Sequence, residues 1–137
     1  FKLQLEIDYN LPKLADDLNI FLFECARELS FNAVKHAGAG TATLTLRQKN
    51  ENNINMVVAD NGIGFNPEIV KSTADIYQGF GLFSIIERIP LFGGNFEIDS
   101  SPGHGSRFSL NIPLLSTSFL HPQKTSPKFY NHNGNAK

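Results

Sequence analysis

Glu28-Leu29-Ser30-Phe31-Asn32-Ala33-Val34-Lys35-His36-Ala37 closes a run of 25 residues, Lys13 to Ala37, that holds neither glycine nor proline. Within that run Leu18, Leu22, Cys25, Leu29 and Ala33 recur at helical spacing, which predicts a long amphipathic helix. Pro12 stands where such a helix can start, and Gly38 and Gly40 where it stops. Glu28, Asn32, Lys35 and His36 fall at i, i+4, i+7 and i+8, so all four are expected on one face within about three turns. The apolar stripe beside them must bury. Carboxylate, amide and ammonium at the edge of a core are costly unless something pairs with them. Such a set could serve a Mg²⁺ ion and the phosphates it bridges, because Mg²⁺ takes few protein oxygens and keeps water or phosphate for the rest. The spacing equally fits an ordinary solvated rim on which Lys35 and His36 favour the helix C-terminal dipole.

The flanking segments read as strands. Residues 2–8 alternate Leu3, Leu5 and Ile7 with Lys2, Gln4, Glu6 and Asp8, the pattern of a half-buried strand. Residues 41–49 alternate again, Asn50 to Asn53 make a polar turn, and Ile54 to Ala59 is mostly apolar, so these two are expected to pair as a hairpin. A weak helical stretch covers Glu68 to Ala74, and a second apolar helix runs from Leu82 to about Phe92, with Pro90 expected to kink or end it. Asn95 to Ser100 and Ser106 to Pro113 follow as strands joined by Pro102-Gly103-His104-Gly105. Neither strict β-α alternation nor an all-β pattern fits. The expected architecture is an α/β two-layer sandwich, a mixed, mainly antiparallel sheet with helices on one face.

Composition narrows the classes. A chain of 137 residues supports one domain with a real core. No uncharged apolar run approaches the roughly 20 residues of a membrane span, so no membrane contact is expected. A single cysteine excludes an internal disulfide and a cysteine-based zinc site. Residues 1–113 carry nine basic and thirteen acidic residues, whereas 114–137 carry three lysines and no acid. A net-negative body is a poor partner for nucleic acid. The segment 114–137 is rich in Ser, Thr, Asn, Pro and Lys and reads as a flexible basic tail or linker, with Leu114 and Leu115 able to pack on the body. The chain begins with Phe1 and has no basic-then-apolar leader, so it is expected to be part of something longer.

Three glycine-bearing segments add chemistry. Asp60-Asn61-Gly62-Ile63-Gly64 follows an apolar strand. Asn-Gly alone fits a hairpin turn, yet Phe65-Asn66-Pro67 is no returning strand. A carboxylate there, with glycines allowing close approach, is placed to accept a ligand N–H. Pro67 stands where a Rossmann fingerprint would need glycine. Gly79-Phe80-Gly81-Leu82 opens a helix, either as a simple helix start or as backbone amides for phosphate; the sequence has no P-loop signature. Gly103-His104-Gly105-Ser106 alone reads as a β-turn. Cys25 lies on the apolar stripe as a small core residue, and His104, His121 and His132 have no partners at metal-ligand spacing.

Taken in order, these segments resemble the boxes of the GHKL ATP-binding fold, shared by sensor histidine kinases, DNA gyrase, mismatch-repair ATPases and a large heat-shock chaperone. Residues 28–37 resemble its N box, Asp60-x-Gly62-x-Gly64 its first glycine box, and Gly79-x-Gly81-Leu82 with Gly103-x-Gly105-Ser106 its later ones. The Asn-x-x-Lys-His-Ala ending and the run from Phe92-Gly93-Gly94 to Pro113 are typical of histidine kinases. The resemblance covers about residues 1–113, the ATP-binding catalytic domain. It implies that Asn32 ligates Mg²⁺ and that Glu28 polarises or positions the reacting group. Lys35 and His36 would approach the phosphates, and Asp60 would accept the adenine amino proton. Gly62 and Gly64 would let the base approach, Gly79, Gly81 and Leu82 would serve the phosphates, and Gly105 and Ser106 would complete the site, Ser106 standing where the family more often has Thr. The short lid between Phe65 and Gly79 has no Phe-rich box, which suggests the compact-lid branch. The resemblance also implies ATP and Mg²⁺ as cofactors, an upstream dimerisation domain bearing the phosphoacceptor histidine, a response regulator, a homodimeric parent and a cytoplasmic setting, with or without a membrane anchor on the parent. Within the same fold an anti-sigma-factor serine kinase and a conformational ATPase are the alternatives.

Overall fold

The computed structural model describes residues 1–68, 81–114 and 127–130. Strand β1 (Lys2–Ile7) is followed by helix α1 (Asp16–Lys35) and the hairpin of β2 (Thr41–Asn50) and β3 (Asn53–Asp60). Helix α2 (Leu82–Arg88) continues into a 3₁₀ turn, Ile89–Phe92, and β4 (Asn95–Ser100), β5 (Ser106–Pro113) and β6 (Lys128–Tyr130) complete the order. One six-stranded sheet runs β1-β2-β3-β5-β4-β6. The β2–β3, β3–β5 and β4–β5 pairs are antiparallel, and the two outer pairs, β1–β2 and β4–β6, are parallel. The helices lie on one face, so the expected mixed α/β sandwich is the fold observed.

The core forms between α1, α2 and the inner sheet face. Leu18, Leu22, Cys25, Leu29 and Ala33 are all buried, as the helical spacing predicts, and Phe21 stacks on Phe92 at 4.7 Å between ring centroids. From the sheet, Ile54, Met56, Val58, Phe96, Phe108 and Leu110 fill the same core, and full burial of each such side chain contributes about 1.5–3 kcal/mol. The opposite sheet face is polar, with Asn55 Nδ2 donating to Asn111 Oδ1 at 2.8 Å and Asn111 Nδ2 donating to Asn95 Oδ1 at 3.1 Å. Pro90 ends the α-helical part of the second helix, as expected, by forcing the 3₁₀ turn. Among the described residues no helix is long and apolar enough to cross a membrane.

Two expectations are corrected. Strand β1 forms, yet Leu3, Leu5 and Ile7 stay exposed instead of half-burying. The reason is that α1 lies over β2 and β3 and leaves the outer strand uncovered. Residues 128–130, assigned to a flexible tail, are the edge strand β6. Phe129 provides the reason, because it enters the core at 4% exposure. Leu114 packs against the core as expected, its amide donating to the Asn52 carbonyl at 2.6 Å. Gly79, Leu115 and most of the Glu68–Ala74 stretch lie outside the described residues, as does most of the segment between Phe65 and Gly79.

Candidate nucleotide site

The apolar stripe fixes the roll of α1, and that roll turns Asn32 and His36 toward the end of β3. Asn32, His36, Ala37, Asp60, Gly64 and Ser106 line one cavity of about 130 Å³, floored by Phe65 and Phe108. Its volume is small beside the several hundred Å³ typical of ligand pockets; residues 69–80, which follow its loop wall, are outside the described set. Asn32 is buried at 6% exposure although polar, and its main-chain carbonyl ends the helix by accepting the His36 and Ala37 amides at 3.0 and 3.1 Å.

Asp60 is the last residue of β3 and half-buried. Burial pushes its carboxyl pKa up, while the backbone amides of Gly62 and Ser106 draw it back toward the charged form. The Gly62 amide donates to Oδ1 at 2.8 Å. Two loops close around this carboxylate. The Ile63 amide reaches the Ala37 carbonyl at 2.9 Å, and Asn61 Oδ1 accepts the Gly40 and Thr41 amides at 3.1 and 3.0 Å. The Gly103 amide donates to the Ile63 carbonyl at 2.6 Å. Gly64 and Gly105 have φ of 65° and 69°, left-handed values that L side chains avoid. A Cβ on Gly64 would collide with the Ser101 carbonyl oxygen, and one on Gly105 with that of Asp60. Both glycines are therefore demanded by backbone approach, and the alternative of a plain Asn-Gly hairpin turn fails.

Glu28 is not among the residues lining this cavity. A Cβ on Gly81 would sit 2.5 Å from Glu28 Oε2, so the carboxylate of α1 rests against the backbone at the start of α2. Leu82 is fully buried by its side chain. Lys35 departs from the expected grouping, since its Nζ lies over the Phe31 ring, 5.6 Å from the centroid, on the neighbouring face of α1. Cys25 is fully buried, and burial pushes its thiol pKa up to about 12, consistent with a core residue and not a nucleophile.

Ser100 went unnoticed in the sequence. Its hydroxyl accepts the Phe65 amide at 2.9 Å, donates to the Gly105 carbonyl at 2.8 Å and lies 3.2 Å from Ser106 Oγ, tying both loops to the sheet. No short-range pattern could reveal a serine whose partner is 35 positions away.

The donor set suits a lightly held cation. Among the described residues no cluster of three or more His, Cys, Asp or Glu could hold a metal by itself. One amide side chain, that of Asn32, lines the cavity, which fits Mg²⁺ held chiefly through phosphates and unfits zinc.

Residues 17–116 match the family of histidine kinase-, DNA gyrase B- and HSP90-like ATPases. The chain belongs to this family and, within it, is an ATP-binding catalytic domain of the histidine-kinase type. It is 35% identical over 109 residues to an uncharacterized sensor-like histidine kinase of Chloroflexus aurantiacus, covering 80% of this chain and 18% of that protein. It is 32% identical over 108 residues to the oxygen sensor histidine kinase NreB of Staphylococcus carnosus, covering 78% of this chain and 29% of the relative. The chain thus spans less than a third of the length of these relatives. The catalytic domain of histidine kinase ThkA shares the fold with a TM-score of 0.67 at 20% identity, over 85% of this chain and 80% of that one.

Proposed function

We propose that the domain binds ATP with its base at Asp60 and its phosphates between α1 and the glycine-flanked start of α2, and donates the γ-phosphoryl to a histidine on a separate dimerisation domain of the parent protein. The observation that supports this reading best is the meeting of Asn32 from α1 and Asp60 from the end of β3 in one cavity, 28 residues apart in sequence. Asp60 accepts the adenine amino proton, and Gly62 and Gly64 admit the base. Asn32 would hold Mg²⁺, which neutralises phosphate charge when bound. Glu28, against Gly81, positions the reacting end, and His36 lies beside the phosphates. Gly79, Gly81 and Leu82 supply backbone amides, and Gly105 and Ser106 keep the loops closed on Asp60. Lys35 reaches the phosphates only by leaving Phe31.

The chemistry asks for positioning more than covalent help. An imidazole nitrogen of the acceptor histidine forms the N–P bond as the bond from the γ-phosphorus to the β,γ-bridging oxygen breaks, and ADP leaves. The phosphoryl then passes to a response regulator. A homodimeric parent and a cytoplasmic setting for this domain belong to the same proposal. The test is calorimetric titration of ATP into the wild type and Asn32→Ala, with Mg²⁺ and with EDTA. A larger loss in Mg²⁺ than in EDTA is expected; an equal loss in both would remove Asn32 from the metal.

A further inference from the structure

Three adjacent strands end in one polar row. The register pairs Asp60 of β3 with Ser106 of β5, and Ser106 in turn with Ser100 of β4. Residues directly opposite each other in a sheet share a face, and the strand order β3-β5-β4 puts Ser106 between the other two. Asp60 and Ser106 line the cavity, whereas Ser100 is not among its lining residues. Both serines are buried, Ser100 at 3% and Ser106 at 6% exposure, so bulk water does not compete for their hydroxyls.

The hydrogen bonds decide which way each hydroxyl points. A serine hydroxyl has one proton and two lone pairs. Ser100 donates its proton to the Gly105 carbonyl at 2.8 Å and accepts the Phe65 amide at 2.9 Å with one lone pair. Its second lone pair is left for Ser106 Oγ, 3.2 Å away. With the Ser100 proton already placed, this contact is a hydrogen bond only if Ser106 is the donor. The Ser106 proton therefore points away from the cavity, and its oxygen offers lone pairs there. Beside it stands the Asp60 carboxylate, which accepts the main-chain amides of Gly62 and Ser106. The closed end of the cavity thus presents two acceptors side by side. At 3.2 Å the hydroxyl pair is long, so its preference is worth a modest factor and not an absolute one.

We propose that Ser100 is a positioning residue that sets base specificity. By accepting the Ser106 proton it holds the Ser106 oxygen as an acceptor toward the base. The site then favours a purine bearing an amino group over one with a carbonyl at the same carbon, whose oxygen would face two acceptors. The inference rests on the base lying at Asp60, as proposed above. Titration calorimetry of this chain with ATP and with inosine triphosphate tests it. Ser100→Ala frees the Ser106 proton to turn to the base, so the preference for ATP should fall roughly fivefold. A merely structural role would weaken both nucleotides alike, and an unmoved ratio would overturn the proposal. In a Ser106→Ala background the group through which Ser100 acts is gone, so adding Ser100→Ala should leave the ratio where it was; the same fivefold fall there would also overturn it. Where the alanine variant is too unstable to titrate, Ser100→Cys keeps most of the bulk but accepts weakly. It should lower the ratio likewise, and a wild-type ratio would overturn the proposal. A wild type that binds both nucleotides equally would sink the placement of the base at Asp60. A preference that Asp60→Asn lowers and the Ser100 variants do not would sink the role of Ser100 alone, which separates the two failures.

Discussion

Asp60→Asn isolates the proposed adenine contact. The carboxylate keeps the Gly62 amide at 2.8 Å on Oδ1, a bond the amide oxygen of asparagine can also accept, so the loop is expected to survive the change. What is lost is the charge-assisted bond to the adenine amino group, about 1.5–3 kcal/mol, or roughly 10- to 150-fold in Kd for ATP. Inosine triphosphate carries an oxygen at that position. The wild type should bind it poorly, and Asp60→Asn, which can donate an N–H, should recover part of the difference. The same substitution bears on stability. Burial raises the Asp60 pKa in the folded state, so its contribution is fully present below the unfolded carboxyl pKa and is lost as pH rises through the folded value. At neutral pH the ligand-free variant should therefore be at least as stable as the wild type while binding ATP less well. Titration calorimetry with both nucleotides, paired with denaturant unfolding, reads all of this. Equal losses for ATP and inosine triphosphate, or unchanged ATP affinity, would refute the assignment of the base to Asp60.

Gly64→Ala combines a left-handed φ with a collision on the Ser101 carbonyl; a loss of at least about 2 kcal/mol is expected in urea unfolding, and a variant within about 0.5 kcal/mol of wild type would contradict the loop closure. Phe129→Ala should cost about 3 kcal/mol, because the side chain is buried; no change in midpoint would return residues 128–130 to a tail. The hydrogen bond and charge of Arg88 hold the Glu24 carboxyl below its usual range, a contribution present above the unfolded pKa and lost as pH falls through the folded one. The stability gap between wild type and Glu24→Gln should thus be constant near neutrality and close in acid, and a gap independent of pH would remove the ion pair from the account.

Much of this was legible because local periodicity and global fold agree. The stripe Leu18 to Ala33, the Asn50–Asn53 turn and the Pro90 break each act over a few residues, and each appears where the pattern places it. Asp60, Gly64 and Gly105 were brought together only by the order of the boxes they resemble, since Gly103-His104-Gly105-Ser106 alone reads as a β-turn. What escaped depends on distance in sequence. Ser100 works through a loop 35 positions earlier, and Lys35 is drawn aside by Phe31 one turn before it. Phe129 and Tyr130 are a lone aromatic pair in polar sequence, so no periodicity announces a strand. The alternation of β1 was read correctly as a strand, but alternation cannot say whether a helix of the same chain covers its apolar face.

The central claim is that purine and metal-bound triphosphate share the cleft between α1 and the loop after β3. Amide chemical shifts recorded while a non-hydrolysable ATP analogue and Mg²⁺ are titrated into the domain test it most directly. Shifts are expected to concentrate at Asn32, His36, Asp60 to Phe65, Gly81, Leu82, Gly105 and Ser106. A spectrum unchanged there, or shifts confined to the polar sheet face around Asn55, Arg107 and Asn111, would contradict it.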